Sequence, residues 1–161
     1  MSGIKYFPQD LNLENKTIIL RVDLNVPIIG KEIQDFTRIL STLPFLRELI
    51  KKKSKIILLS HLGRPKGLTD TSLSLLPIYK YLKEKLNTNM YFYAGEINNE
   101  LKIKCSYLRG GEIILVENIR FFKEETDNEE KFSKNLGELG DIYINDAFSC
   151  SHRKQASIHG I

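Results

Sequence analysis

The arginines are the residues of this sequence best suited to binding an anion. The chain has 24 basic residues, of which only seven are arginine. A guanidinium fork binds a carboxylate or a phosphate through paired hydrogen bonds, whereas a lysine ammonium acts as a point charge. The lysines are spread widely, with one cluster at Lys51, Lys52, Lys53 and Lys55. The arginines therefore mark candidate sites; they are Arg21, Arg38, Arg47, Arg64, Arg109, Arg120 and Arg153.

Residues 21–27 combine an acid and an amide directly after an apolar run. Asp23 and Asn25 are two residues apart, so in an extended chain they share a face. On that face Asp23 could accept a hydrogen bond from a ligand hydroxyl while the Asn25 amide donates one. Asp, Asn and Pro are also common in turns. Taken alone, the segment leaves a turn and a binding site both open.

Residues 60–67 place His61, Arg64 and Lys66 in a loop rich in glycine and proline. Glycine permits close backbone approach, and backbone N–H groups can cradle an anion. The spacing from Gly63 to Gly67 is too short for a nucleotide-binding P-loop, and no Lys-Ser or Lys-Thr pair follows. The alternative is a surface loop with incidental positive charge.

Three further segments carry arginine near the end or start of an apolar segment. Arg120 follows the run 113–117, and its alternative role is an ion pair with a nearby glutamate. His152 and Arg153 follow the run 141–147. Arg38 opens a long helical pattern, and helix N-termini favour anions; the alternative is a surface pair with Asp35. Cys150 lies nearby, but nothing indicates the depressed pKa that a nucleophilic thiol needs.

The elements that must position these residues alternate along the chain. Strand-like runs, most of them continuously apolar, are predicted at 17–22, 55–60, 90–93, 113–117 and 141–147. Such runs are typical of strands buried on both faces. Helical patterns cover 36–52 with a kink expected at Pro44, 72–86 with Ser72 as N-cap, and 128–139, while 96–108 is weaker. This order predicts an α/β fold with three layers, an open, mostly parallel sheet between helices.

The parallel topology explains why dispersed residues can form one site. Ligands of open α/β sheets bind at the carboxyl ends of the strands. Four arginines and two histidines fall at loop or helix-start positions that this topology places on one rim. Fixed cations of this kind suit a small acid with several negative charges. The sequence therefore predicts a pocket for a multiply anionic acid and contains no nucleotide-phosphate loop.

Composition is consistent with one globular domain. The chain has 161 residues, 42% hydrophobic and 27% charged, with a net charge of +4, which suits a single domain. Two cysteines give no metal or disulfide pattern, and no signal core or membrane-length apolar run is present. We expect a cytoplasmic protein that binds neither membrane nor metal. The basic charge admits a nucleic-acid binder, but no motif supports that class.

Together these loops closely resemble phosphoglycerate kinase. The resemblance extends from about residue 10 to 161 and rests on four motifs that occur in that family's order. They are RVDLNVP at 21–27, SHLGRPKG at 60–67, ENIRF at 117–121, and NDAF at 145–148 with His152-Arg153. It implies a Rossmann-like domain that binds 3-phosphoglycerate. The family transfers a phosphoryl group reversibly between ATP and the carboxylate of 3-phosphoglycerate, giving 1,3-bisphosphoglycerate in glycolysis.

The resemblance also implies a role for each residue. Asp23, Leu24 and Asn25 would hold the glycerate end of the substrate. Arg64, Arg120 and Arg153 would bind the 3-phosphate, with His61, Leu62 and Gly63 beside it. Arg38 would face the carboxylate and the transferring phosphoryl group, which makes it the candidate catalytic residue. Phosphoryl transfer depends mainly on positioning and on neutralising charge, a task suited to an arginine.

The sequence departs from the family pattern in two places. Ser149-Cys150-Ser151 replaces the family's Gly-Thr-Ala, and Lys154-Gln155 replaces Ala-His. The chain also ends at Ile161, where the family continues into a second domain that binds Mg-ATP or Mg-ADP. The resemblance thus implies that residues 1–161 form the phosphoglycerate-binding N-terminal domain of a monomeric two-domain enzyme, and are inactive without the nucleotide domain. The alternative is a free-standing phospho-acid binding module without catalysis.

Overall fold

Short apolar runs form the strands of this protein. The computed structural model describes residues 10–65 and 67–161. Lys66 therefore lies outside the described residues. The strands, in chain order, are β1 Thr17–Arg21, β2 Ile28–Ile29, β3 Glu32–Ile33, β4 Lys55–Leu59, β5 Met90–Tyr93, β6 Ile113–Val116 and β7 Ile142–Asn145. The α-helices are α1 Thr37–Lys51, α2 Leu76–Lys85, α3 Asn99–Ser106, α4 Lys123–Thr126 and α5 Glu130–Gly137.

Five of the strands form one sheet in the order β5-β6-β4-β1-β7. Each neighbouring pair in it is parallel, with Thr17 opposite Lys55 in β1 and β4, and Ile56 opposite Ile113 in β4 and β6. β2 and β3 form a separate antiparallel hairpin. The predicted open parallel sheet is confirmed, so its carboxyl ends lie along one edge.

Successive side chains of the strands enter two different cores. Ile18 and Leu20 of β1 pack in one core with residues of α1 and α2. Ile19, between them, packs in the other core with residues of α3 and α5. Both faces of the sheet are therefore covered by helices, which confirms the three-layer arrangement. Each fully buried leucine or isoleucine side chain contributes about 1.5–3 kcal/mol to the stability of the fold. The sheet is therefore a stable scaffold for the loops at its edge.

The element boundaries differ from the predicted ones mainly at helix starts. Ser72 is not the N-cap of the second helix, so that prediction was wrong. Asp70 caps a 3-10 turn at Thr71–Leu73, and α2 begins at Leu76 with a proline in its first turn. Proline fits there because the first helical N–H groups lack intrahelical acceptors. α1 contains Pro44 within its span, and Asn98 caps α3 through its side-chain oxygen.

The last turn of the chain, a π-helix at Ala156–Gly160, was not predicted. Ala156 and Ser157 are buried there, and Tyr143 of β7 donates a hydrogen bond to the Ser157 carbonyl at 2.5 Å. The turn packs against α4 and α5. It therefore brings Ser157 beneath the carboxyl edge of the sheet, next to Arg21.

Candidate functional site

A polar cavity of about 240 Å³ lies at the carboxyl ends of the central strands. Its residues come from the loops after β1, β4, β6 and β7 and from the start of α1. They are Asp23, Asn25, Arg38, His61, Gly63, Arg64, Arg120, Ser149 and Arg153. Segments far apart in sequence thus supply one concave site, as expected for this topology.

Asp23 connects two separate elements across this cavity. Its Oδ2 accepts a hydrogen bond from Arg38 Nη1 at 2.7 Å and another from the Ser149 hydroxyl. Its Oδ1 accepts from the Asn25 backbone N–H at 3.0 Å. Burial alone would raise the pKa of Asp23, but these hydrogen bonds and the charge of Arg38 hold it below its usual value. Asp23 is therefore an ionised acceptor that positions Arg38 at the edge of the cavity.

Hydrogen bonds to the Gly63 backbone join three of these loops in a frame made of Asn25, Gly63 and Arg120. The Asn25 side-chain oxygen accepts from the Gly63 N–H at 2.9 Å, and Arg120 Nη1 donates to the Gly63 carbonyl at 2.9 Å. Gly63 has φ +61°, and a Cβ there would lie 2.7 Å from Leu73 Cδ2. Because Asn25 already uses its oxygen, its amide nitrogen is the group it can offer to a ligand. The Gly63 N–H, by the same contact, is engaged within the protein.

His61 lies beside Arg21 under the cavity, and both are buried. Arg21 Nη2 lies 2.9 Å from His61 Nδ1. A guanidinium can only donate, so Nδ1 must accept and the ring proton must be on Nε2. Burial and the charges of Arg21 and Arg120 lower the pKa of His61 to about 3. His61 is therefore a neutral hydrogen-bond donor among cations.

The arginines of the cavity differ in exposure. Arg120 is only 4% exposed. Besides the Gly63 carbonyl, its guanidinium contacts Gln155 Oε1 at 3.5 Å. The Arg120 backbone N–H donates to the Asn118 side-chain oxygen at 3.1 Å. Arg64 and Arg38 are exposed, and Arg153 is half-buried. Arg120 is thus fixed by the protein and Arg38 is held by Asp23, while Arg64 and Arg153 are the arginines that can adjust to a ligand. Four guanidinium groups around one small cavity suit a ligand carrying several negative charges.

The structure brings most of the predicted site residues together around the cavity, but three of them do not line it. Leu24 and Leu62 are buried and do not line the cavity; the Leu24 N–H donates to the Ser60 hydroxyl, and the Leu62 carbonyl accepts from Asn118. His152 is exposed and is not among the residues lining this cavity. The prediction that two histidines share the site therefore applies to His61 alone.

Two contributors were missed by sequence reasoning. Ser149 lines the cavity and donates a hydrogen bond to Asp23, whereas in the sequence it stands out only as a departure from a glycine-containing pattern. Ser60 joins two loops, since its hydroxyl donates to the Val22 carbonyl at 2.9 Å while accepting from Leu24. A serine at a strand end is common, so its type carried no usable signal. The Ser149 substitution itself was the available signal.

A larger cavity lies elsewhere at the same side of the sheet. It measures about 580 Å³ and includes Lys31, Lys80, Glu117, Phe121 and Phe122 in its lining. The Glu117 carboxylate there already accepts from the Ser74 hydroxyl and the Leu75 and Asn118 N–H groups. This cavity is larger than the arginine-lined one, but the cation cluster favours the smaller cavity as an anion site.

The described residues offer neither a metal cluster nor a membrane-spanning helix. Residues 10–65 and 67–161 contain no group of three or more His, Cys, Asp or Glu side chains placed to hold a metal ion. Within the same part of the chain, no helix combines the length and apolarity needed to cross a bilayer.

The fold and the cavity define a parallel α/β domain with a cation-lined site at the carboxyl edge of its sheet. The family model for phosphoglycerate kinase matches residues 8–161. The chain belongs to the phosphoglycerate kinase family.

Individual relatives agree with the family assignment. The chain is 46% identical to the phosphoglycerate kinase of Wolbachia pipientis wMel over 153 residues, which is 95% of this chain and 38% of that protein. It is 43% identical to that of Coprothermobacter proteolyticus, covering 95% of this chain and 39% of the relative. The chain therefore spans about two fifths of the length of the curated relatives that it matches.

Solved structures share the fold. The phosphoglycerate kinase of Coxiella burnetii superposes with a TM-score of 0.83 at 37% identity, covering 94% of this chain and 37% of that one. The enzyme of Pyrococcus horikoshii OT3 gives a TM-score of 0.80 at 31% identity, covering 94% and 39%. These matches confirm the α/β fold class and the family resemblance seen in the motifs.

Proposed function

We propose that this chain is the phosphoglycerate-binding part of a phosphoglycerate kinase. The observation that carries the proposal is the convergence of Arg38, Arg64, Arg120 and Arg153 on one cavity that also holds Asp23 and Asn25. The reaction would transfer a phosphoryl group between ATP and the carboxylate of 3-phosphoglycerate. The 3-phosphate and the carboxylate are both anionic, and the cavity offers fixed cations for both.

The proposed substrate contacts divide between the two ends of the molecule. Arg64, Arg120 and Arg153 bind the 3-phosphate, and the neutral His61 ring donates a further hydrogen bond to it. Asp23 and Asn25 bind the glycerate hydroxyl end. Leu24, Leu62 and Gly63 contribute through backbone placement, because the leucine side chains are buried and Gly63 holds Asn25 and Arg120 in position.

Arg38 is the proposed catalytic residue. Its side chain is half exposed and its Nη1 is held by Asp23 at 2.7 Å, so it reaches the cavity from the start of α1. In the reaction it neutralises charge on the carboxylate and on the phosphoryl group in transfer. An arginine in that role can accelerate phosphoryl transfer by about 10³-fold or more.

The nucleotide belongs to the remainder of the longer protein in this proposal. Residues 1–161 act as one substrate-binding domain, and Mg-ATP or Mg-ADP binds a second domain. We propose a monomeric enzyme in the cytoplasm, in keeping with the low cysteine content of the sequence.

The test is complementation. This chain is combined with the remaining part of the Wolbachia pipientis relative, and ATP-dependent phosphorylation of 3-phosphoglycerate is measured. We expect activity only when both parts are present. Arg38→Ala should lower kcat by at least about 10²-fold while KM for 3-phosphoglycerate changes far less, because the interaction is made in the transition state.

Arg47→Ala is the matched control, since Arg47 lies on the same helix and reaches the Lys85 carbonyl at 3.4 Å, away from the cavity. It should leave kcat unchanged. An equal loss in kcat and affinity for Arg38→Ala would contradict its catalytic role. Binding of 3-phosphoglycerate without turnover, in the presence of a folded complementary part, would favour the free-standing binding module instead.

A further inference from the structure

A buried chain of polar contacts runs from the cavity to the π-helix at Ala156–Gly160. His61 Nδ1 accepts from Arg21 Nη2 at 2.9 Å, and Arg21 Nε donates to the Ser157 hydroxyl at 3.1 Å. The Ser157 hydroxyl donates to Glu125 Oε1 at 2.6 Å, and the Ser157 N–H donates to Oε2 at 2.8 Å. Four residues thus connect the site to α4 and to the π-helix.

All four members are removed from water. Arg21, Glu125 and Ser157 are 0% exposed and His61 is 2% exposed. A buried cation and a buried carboxylate are costly unless they are hydrogen-bonded. Here the Ser157 hydroxyl stands between them and serves both. It accepts from the guanidinium with its oxygen and donates its proton to the carboxylate.

The orientation of Arg21 matters to the cavity through one atom of His61. Because a guanidinium only donates, its contact with Nδ1 excludes a proton there and places it on Nε2. Nδ1 is occupied within the protein, so Nε2–H is the group that His61 can present to a ligand. Arg21 also donates from Nη1 to the Val22 carbonyl at 2.6 Å. Contacts at Nε, Nη1 and Nη2 together fix the guanidinium plane.

We propose that Ser157, held by Glu125, is a positioning residue that keeps Arg21 against His61 so that His61 presents Nε2–H to the phosphate of the substrate. This inference rests on the proposed function for the identity of the ligand. Without the Ser157 hydroxyl, Arg21 Nε loses its acceptor, and the guanidinium turns toward the Glu125 carboxyl oxygens. His61 Nδ1 then loses its donor, and the ring no longer has a single preferred tautomer.

The first experiment reads the tautomer directly, in this chain and without ligand. Long-range proton–nitrogen NMR on histidine-labelled protein should show His61 protonated at Nε2 and unprotonated at Nδ1. In Ser157→Ala we expect a mixture of the two neutral tautomers. A purely structural serine would change stability without changing that spectrum. An unchanged tautomer in the variant, or protonation at Nδ1 in the unaltered chain, would overturn the proposal.

The second experiment measures affinity for 3-phosphoglycerate by calorimetry. Ser157→Ala should bind about tenfold more weakly, and Ser157→Thr, which keeps the hydroxyl, should recover most of the loss. If threonine does not fit the buried position, Glu125→Gln replaces it; that variant keeps an acceptor for the Ser157 hydroxyl and should show a smaller loss than Ser157→Ala.

Ser54→Ala is the control. Ser54 is also 0% exposed and donates to a backbone carbonyl, that of Leu13, at 3.3 Å, but it lies before β4 at the amino edge of the sheet. It should change neither the His61 tautomer nor the affinity. A tenfold loss in Ser54→Ala would show that binding responds to stability alone, against the proposal. If the unaltered chain does not bind 3-phosphoglycerate, the proposed function fails, while the tautomer still decides the role of Ser157.

Discussion

At the scale of single residues, the cavity keeps one histidine neutral among arginines. Burial, together with the charges of Arg21 and Arg120, lowers the pKa of His61 to about 3. A neutral imidazole can lie close to these cations without adding repulsion, and it still offers one hydrogen bond. Arginine cannot lose its charge at working pH. The arginines therefore supply the positive charge of the cavity, and His61 supplies a neutral hydrogen-bond donor.

The neutrality of His61 predicts how folding stability depends on pH. An unfolded histidine takes up a proton near pH 6.5, but folded His61 does so only near pH 3. Between these values the unfolded state binds the extra proton, so stability falls as pH falls. The contribution of one group reaches about 1.4 kcal/mol per pH unit. His61→Asn should make the decline in unfolding free energy between pH 6 and pH 4.5 shallower.

Urea unfolding at several pH values measures this slope for both proteins. Acidic residues contribute equally to the two curves, so the difference between the slopes isolates His61. Identical slopes would show that His61 titrates normally in the folded state and would contradict the buried contact with Arg21.

Residue types pointed to the arginines that line the cavity, but they could not point to Ser149 or Ser157. Arginine is scarce in this lysine-rich chain, with seven of the 24 basic residues, so Arg64, Arg120 and Arg153 stood out in the segments that follow the strands. Serine is compatible with many surroundings. The roles of Ser149 and Ser157 depend on tertiary contacts with Asp23, Arg21 and Glu125, which no local pattern encodes.

At the scale of elements, the loops after the strands are held by contacts to one another. Gly63 is central, because its N–H and carbonyl bind Asn25 and Arg120 from two other loops. The positive φ at Gly63 favours glycine, and a Cβ there would push aside the terminal methyl groups of Leu73. A side chain at this position would therefore strain the loop that carries His61 and Arg64.

Gly63→Ala should therefore reduce both stability and affinity. Gly30 is a matched control, with φ +63° and no atom within 4 Å of a Cβ built there. Gly30→Ala should cost about 1–2 kcal/mol from the backbone conformation alone. Gly63→Ala should cost about 0.5–1.5 kcal/mol more, because the added methyl group forces the end of the Leu73 side chain out of its rotamer.

Urea unfolding gives both free energies, and calorimetry with 3-phosphoglycerate gives the affinities. Only Gly63→Ala is expected to weaken binding. Equal costs in the two variants, with affinity preserved, would show that the frame of Asn25, Gly63 and Arg120 does not shape the site.

The elements themselves were predictable to different degrees. The parallel strands were found because short, continuous runs of isoleucine, leucine and valine are typical of strands buried on both faces. The hairpin of β2 and β3 was missed since each strand has two residues. The start of α2 was misplaced because Ser72 resembles an N-cap, whereas Asp70 and the proline in the first turn of α2 decide the local structure.

At the scale of the whole molecule, the two edges of the sheet carry different kinds of positive charge. The arginine cavity lies at the carboxyl edge. The lysine cluster at Lys51–Lys53 and Lys55 lies at the end of α1 and the start of β4, at the amino edge. A basic chain could attract anions at either place. The proposed function requires that one small phosphorylated acid prefer the first edge.

The most direct test follows the backbone amide signals of this chain by NMR as 3-phosphoglycerate is added. We predict saturable shifts at Asp23, Asn25, Gly63, Arg120 and Arg153. Arg64→Ala should weaken binding by about tenfold or more, as expected for loss of a charged hydrogen bond. Arg109→Ala, which removes an exposed arginine outside the cavity lining, should not. Shifts confined to the lysine cluster or to the cavity around Phe121 and Phe122 would contradict the proposed function, and so would equal losses of affinity in both variants.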